Sequence, residues 1–369
     1  MRPSLLSITS NELAWLFMAS AQRVASKHWL DALSVSGNTP KDLLTLSHDA
    51  LPDIEKLKSE ITPTLVERAL LWERSDCNHK LVTFSSSDYP DALKQLDSPP
   101  LVLFVIGNVT LLTNHQIAIV GSRRASEQGK KIAEEFSLEL SRNGLTVTSG
   151  LAMGIDSAAH RGGMEGVGST IAVMGTGPDN VYPAKNKALL SQIIVAGGAI
   201  VSEFFPGVGP RAWHFPRRNR IIAAMCLGTL VVEAKIKSGT LITANLAADL
   251  GREVFAVPGS IFHAYTQGCH WLIQQGAKLV TTTNEIVEEI AIAPQQLVLK
   301  DVGDREKSEV KSLATDKLLA SVDYDITAID VIAQRNAITV DKAMASLLEY
   351  ELRGLVAAVP GGYVKLRGK

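Results

Sequence analysis

Ser122, Arg123 and Arg124 follow Gly121 at the end of an apolar run, Ile117-Ala118-Ile119-Val120, and precede a helical pattern from about 126 to 142. A strand ending in Gly-Ser-Arg at a helix start offers backbone N–H groups and fixed positive charge, the chemistry that holds a phosphate. A tight turn with solvated arginines uses the same residue types, so these positions alone leave both readings open. The pattern recurs, however. Ser149 and Gly150 follow the run 145–148, and Gly175-Thr176-Gly177 and then Lys185, Asn186 and Lys187 follow 169–174. A loop carrying Arg211, Arg217, Arg218 and Arg220 follows 193–202, and Lys235, Lys237 and Ser238-Gly239-Thr240 follow 229–233. Ten lysines and arginines thus gather after four of these five apolar runs, against chiefly Asp156, Asp179, Glu203 and Glu233. In a chain of formal net charge -1, scattered surface lysines would show no such preference, and a basic rim on one sheet edge is the reading preferred.

These positions need a scaffold that brings the ends of several strands together. Apolar runs at 101–106, 117–120, 145–148, 169–174, 193–202, 229–233 and 253–257 alternate with helical patterns at 126–142, 154–167, 185–192, 217–225, 240–250 and 268–275. That alternation predicts βαβ units and a doubly wound, Rossmann-like, mostly parallel sheet, whose ligands sit beyond the carboxyl ends of the strands. The 203–220 loop interleaves Phe204, Phe205, Trp213, His214 and Phe215 with four arginines. Rings that stack bases beside guanidiniums that hold phosphates suit single-stranded nucleic acid, at about 1–3 kcal/mol per stacked base. The same rings could instead pack beneath the loop, Phe204 and Phe215 above all.

Helical spacing over 11–35 and 40–75 predicts a small N-terminal bundle. Its candidate hairpin, Ala19 to Val24, has no glycine, which favours a packing or interaction module over a phosphate-gripping helix-hairpin-helix. Near the other end, 325–332 opens a helix, and Thr339 starts another with Met344, Leu347, Leu348 and Leu352 on one face. Strands 354–359 and 363–366 then flank Pro360-Gly361-Gly362, giving winged-helix order. The second helix carries Asp341, Glu349 and Glu351 beside Lys342 and Arg353, so protein interaction is preferred to duplex reading. The expected organisation is a helical, SAM-like domain at 1–78, a Rossmann-like domain at 79–290, a linker at 291–312 and a winged-helix-like domain at 313–369.

Several functions are disfavoured. No GxxxxGK[ST] occurs, and Gly175-Thr176-Gly177-Pro178 lacks the third glycine of a dinucleotide fingerprint. No HExxH or CxxC spacing suggests a metal, and no cofactor is expected. Ser149, Asp156 and His160 resemble a triad only in composition, since Asp156 and His160 at i,i+4 on a helix more often make structural hydrogen bonds. Three isolated cysteines, no signal-type segment after Met1 and no apolar run of 18 residues lead to the expectation of a soluble cytoplasmic protein without a membrane partner.

The central stretch resembles the DprA/Smf family, the DNA-processing proteins of natural transformation. The resemblance rests on Gly121-Ser122-Arg123, the run 149–156 with His160, 170–177, Tyr182-Pro183 with Asn186, Phe215 to Ile222, Val232-Glu233-Ala234, Ser238-Gly239-Thr240, Gly251 to Val254, and Val257-Pro258-Gly259. It implies a non-catalytic protein that binds and protects incoming single-stranded DNA and loads the RecA recombinase onto it. It also implies a homodimer formed through the Rossmann-like domain, with single-strand-binding protein a further candidate partner. Arg123 and Lys185 match basic positions of the family's DNA pocket. The DNA-binding set expected is Gly121, Ser122, Arg123, Arg124, Ser149, Gly150, Lys185, Asn186, Arg217, Arg218, Arg220, Ser238, Gly239 and Thr240. The chain departs from the family in its glycine-free hairpin and in His270, where many members carry Asn. The alternative is a nucleotide-handling enzyme of the phosphoribohydrolase (lysine decarboxylase-like) type. Against it, the PGG of that family's PGGxGTxxE motif is missing and Thr243 stands in place of its glutamate.

Overall fold

The computed structural model describes residues 9–46, 53–290, 317–323, 326–353 and 355–366. The expected linker at 291–312 lies outside them. Two compact units divide the chain, Met1–Val298 and Leu299–Lys369.

The first unit opens with five helices: α1 (Asn11–Ser20), α2 (Ser26–Ser36), α3 (Pro40–Thr45), α4 (Ile54–Ser59) and α5 (Pro63–Arg74). Local chemistry sets their ends. Ser10 caps α1 by accepting from Leu13 N, and Thr39 caps α3 ahead of a proline at the first helical position. A nine-stranded sheet follows, made of β1 (His79–Thr83), β2 (Val102–Gly107), β3 (Gln116–Gly121), β4 (Thr146–Ser149), β5 (Thr170–Met174), β6 (Ala199–Ser202), β7 (Gly228–Val232), β8 (Glu253–Ala256) and β9 (Lys278–Leu279). The order across the sheet is β1-β2-β6-β5-β4-β3-β7-β8-β9. Strands β3 to β9 run parallel, whereas β2 pairs antiparallel with both β1 and β6. The crossover helices are α6 (Glu127–Arg142), α7 (Ile155–Met164), α8 (Lys187–Val195), α9 (His214–Met225), α10 (Gly239–Asp249) and α11 (Gln267–Gln274), with α12 (Asn284–Glu289) after β9.

The strands alternate their burial between the two faces of the sheet, as the two-residue strand period requires. Val102, Phe104 and Ile106 of β2 pack with Trp15, Phe17, Trp29 and Trp72 of the N-terminal helices. Leu103 and Val105 face the other way, into a cluster that includes Ile221, Ile222 and Met225 of α9. The N-terminal helices therefore share a core with the sheet.

Two details differ from the sequence reading. The run 193–202 is not one strand: Ile193 to Val195 ends α8, with Ile193 buried and Val195 exposed as helical phase demands, and a turn at Gly197 precedes β6. Strands β1 and β9 are additional to those expected, β9 being too short to leave a periodic signal.

From β3 the chain steps outward through β4, β5 and β6, then returns through α9 to β7 on β3's other side. The β3–β7 pair is thus the topological switch point, where helices diverge and leave a crevice beyond the strand ends.

The second unit contains α13 (Lys317–Ala320), α14 (Ile329–Arg335), α15 (Val340–Leu352) and the hairpin β10 (Val356–Val359) with β11 (Gly362–Lys365). Thr327 bridges to Tyr363, adding a third short strand contact. On α15 the buried seam is Ala343, Leu347 and Tyr350, so Met344 and Leu348 point outward rather than sharing Leu347's face. Among the described residues, no helix is long and apolar enough to cross a membrane.

Candidate nucleic-acid interface

A cleft of about 800 Å³ opens at the switch point. Gly121 makes the crossing possible, because a Cβ there would collide with the Val232 carbonyl and with Ile155. The loop after β3 is then sewn down. Ser122 N donates to Glu233 O at 2.8 Å, and Arg124 N donates to Ser122 Oγ at 3.1 Å. The Glu233 carboxylate accepts from Ser126 N at 2.8 Å and from the Ser126 hydroxyl, while Ser126 Oγ accepts from Gly129 N at 2.9 Å. An internal carboxylate therefore occupies the N-terminus of α6, where the sequence suggested a phosphate. What this loop offers to solvent is the pair of exposed guanidiniums, Arg123 and Arg124.

The open helix start lies across the cleft. Ser238 stands at the N-cap of α10 with no side-chain cap bond, its hydroxyl buried and unpartnered, and Gly239 and Thr240 line the cleft beside it. Uncapped first-turn amides at a helix N-terminus carry partial positive charge and suit an anion.

Each wall also pairs a cation with a ring. The Arg123 guanidinium lies 5.6 Å from the Phe215 centroid, and Phe215 packs against Tyr182 at 5.5 Å. Opposite, the Lys235 ammonium lies 4.6 Å from the Tyr265 ring. Lys235, Tyr265 and Arg211 line the cleft although none belonged to the expected site. Lys235 and Arg211 were visible as part of the basic rim. Tyr265 sits in the loop beyond β8, with no motif to mark it.

The expected site residues separate into three groups. Gly121, Ser122, Arg123, Arg124, Arg218, Ser238, Gly239 and Thr240 converge on the cleft. Lys185 is exposed but does not line it. The rest serve the fold or face elsewhere. Ser149 is buried and its Oγ donates to Ile119 O at 2.6 Å. Asn186 is buried and its Nδ2 donates to Leu151 O at 2.8 Å and Ser157 Oγ at 3.0 Å. Gly150 is buried, and its carbonyl accepts from Arg218 Nη1 at 2.5 Å.

Arg218 forms the floor. Its guanidinium also donates to Val173 O and, through Nε, to Asn219 Oδ1 at 3.0 Å, tying together the ends of β4 and β5. Burial lowers its pKa to about 10, with Asp156 opposing that shift. Burial raises the pKa of Asp156, while Arg218, the Ala152 amide and Arg123 pull it down. Arg217 and Arg220 instead flank Glu203, at 3.2 Å and 2.5 Å. Phe204 and Phe205 are buried, Phe205 against Phe104 at 5.0 Å, so neither ring is a stacking surface. Trp213 is 54% exposed and Phe215 is half-buried at the cleft wall.

No acid–base relay is assembled around Ser149. His160 accepts from Leu151 N at 3.3 Å, and since the Thr170 hydroxyl donates to Val147 O, His160 Nδ1 donates to Thr170 Oγ1 at 2.8 Å. Burial pushes its pKa down to about 3, so it is a neutral structural histidine. Among the described residues no group of three or more His, Cys, Asp or Glu could hold a metal ion.

The family model described as DNA recombination-mediator protein A matches residues 80–291, and the DprA winged helix domain matches 305–362. This chain belongs to the DNA recombination-mediator protein A (DprA/Smf) family. Protein Smf of Escherichia coli is 42% identical over 304 residues, covering 82% of this chain and 81% of that protein. The solved DNA processing protein A of Streptococcus pneumoniae is 36% identical with a TM-score of 0.64, covering 76% of this chain and 98% of that one. The Helicobacter pylori DNA processing protein A, whose structure is presented as showing a single-stranded DNA binding mode, is 27% identical with a TM-score of 0.52, over 57% of this chain and 95% of that one. The Rossmann-like sheet and the C-terminal winged-helix domain are those of this family.

Proposed function

We propose that this chain binds single-stranded DNA in the switch-point cleft, without chemical conversion, and delivers it to a recombinase. The observation that carries the reading is the pairing of exposed cations with rings on both walls, Arg123 with Phe215 and Lys235 with Tyr265. Such pairs neutralise phosphates and stack bases without selecting a sequence. The uncapped start of α10 at Ser238-Gly239-Thr240 supplies amides for one phosphate, and Lys185 extends the positive rim. Arg218, Ser149, Gly150 and Asn186 act beneath the ligand by holding the strand ends in place. The Helicobacter pylori relative's recorded binding mode supports the same class of ligand. Protection of incoming strands, loading of RecA, contact with single-strand-binding protein and homodimerisation through the Rossmann-like domain follow from the family resemblance. The acidic α15, with Met344 and Leu348 exposed, fits a protein contact better than a DNA groove.

Oligothymidylate binding measured across a salt series tests this. Each neutralised phosphate contributes a slope of about -0.7 in log K against log salt. Arg123→Glu and Lys235→Glu are expected to lower affinity and flatten that slope, and unchanged affinity in both would refute the assignment. Release of free base from nucleoside monophosphates would instead favour the phosphoribohydrolase alternative.

A further inference from the structure

A second cleft, of about 770 Å³, lies between the 203–220 loop and the turn joining α1 to α2. Four arginines line it, Arg23, Arg211, Arg217 and Arg220, against one acid, Glu203. Glu203 is buried between Arg217 and Arg220, so its charge is already matched within the wall. Arg23 reaches out from the α1–α2 turn, its side chain 87% exposed and only 4.0 Å from Glu60 as its nearest acid. Two of the turn's amides are engaged within it, Gln22 N donating to Ser20 O and Val24 N to Ala21 O. The turn contributes a cation.

The two clefts share a wall. Arg211 lines both, and Trp213, two residues on, lines the second with over half its side chain in solvent. The edge contact of Trp213 with His214, at 4.1 Å and 80°, braces the indole where the loop separates the clefts. A cation and an exposed ring thus stand at the junction, the same two residue types that line both walls of the first cleft. A polyanion with stackable bases meets the same chemistry on either side of the loop.

We propose that a single strand leaving the first cleft crosses Arg211 and Trp213 and continues through the second, so that the α1–α2 turn forms the far wall of one continuous track. The N-terminal helices then take part in binding through Arg23, although their hairpin lacks the glycines of a phosphate-gripping motif. This inference rests on the single-stranded DNA reading of the first cleft and extends it.

Affinities for a short oligothymidylate of about six nucleotides and a long one of about twenty test the track, with wild type, Arg23→Glu, Trp213→Ala and Arg123→Glu. The short strand is chosen to engage one cleft and the long strand to reach across both. Arg23→Glu and Trp213→Ala are expected to weaken the long oligonucleotide about five- to a hundredfold and to leave the short one within about twofold. Arg123→Glu weakens both. If the long oligonucleotide binds Arg23→Glu and Trp213→Ala as tightly as wild type while Arg123→Glu still fails, the strand ends in the first cleft and the track is refuted. If Arg123→Glu also keeps its affinity for both lengths, the underlying DNA reading falls as well.

Discussion

Replacing Arg218 with methionine separates holding the cleft together from gripping a ligand. Its guanidinium is buried and donates to Gly150 O at 2.5 Å, to Val173 O and to Asn219 Oδ1 at 3.0 Å, with the buried Asp156 as its counter-charge. Methionine keeps the apolar stem but orphans two strand-end carbonyls, at about 1–3 kcal/mol each. The buried Asp156 also loses the positive charge that pulls its pKa down, which adds to that cost. These penalties overlap, because Asp156 can take up a proton, so the net loss is set at about 3–5 kcal/mol. In a unit of this size, with about 2.1 cal/mol/K of unfolding entropy per residue, that lowers Tm by roughly 5–8 °C. The pH dependence gives a second readout. Burial raises Asp156 above its ordinary 3.8, so the folded state binds the proton more tightly, and stability falls as pH rises through the window above that value. Without Arg218 the pKa of Asp156 rises further, so moving from neutral to mildly acidic pH favours the variant relative to the wild type. Adding Asp156→Asn removes the stranded charge and restores part of the loss at neutral pH. Thermal denaturation of the three proteins at both pH values is the assay. A loss under about 1 kcal/mol, or no rescue by Asp156→Asn, would refute the account of Arg218 as a buried strand-end clamp.

Gly121→Ala places a methyl group against the Val232 carbonyl and Ile155; it is expected to cost about 1–3 kcal/mol in urea unfolding and to lower DNA affinity by displacing Arg123. His160, held neutral with a pKa near 3 against an ordinary 6.5, binds its proton more weakly when folded, so stability is lost as pH falls below 6.5. His160→Gln should flatten that limb by up to about 1.4 kcal/mol per pH unit, measured in the Asp156→Asn background to remove the opposing aspartate. Tyr265→Ala removes the ring beneath Lys235 and should weaken oligothymidylate binding by about 1–3 kcal/mol with little change in salt slope, whereas Lys235→Ala should reduce the slope.

The alternation of apolar runs with helical patterns was enough to specify a mostly parallel sheet, because a strand buried on both faces has a composition that surface segments lack. Gly121-Ser122-Arg123 and Ser238-Gly239-Thr240 were legible for a related reason, since each directly follows such a strand and the fold brings strand ends together. The pattern could not divide the ten basic residues by role. Arg218 and Arg123 look alike in sequence, yet one is buried under the strand ends and the other stands in solvent, a difference fixed by which turn of α9 or which loop residue carries each. The capture of the α6 N-terminus by Glu233 joins residues 107 positions apart, and the Lys235–Tyr265 pair spans two loops. The burial of Phe205 likewise depends on Phe104 of β2, remote in sequence. The sequence by itself determined the mostly parallel sheet and the gathering of basic residues after its strands, through local periodicity and composition. Tertiary structure alone decided which cations stay unpaired, because burial and counter-charge come from residues that meet only after the chain has folded.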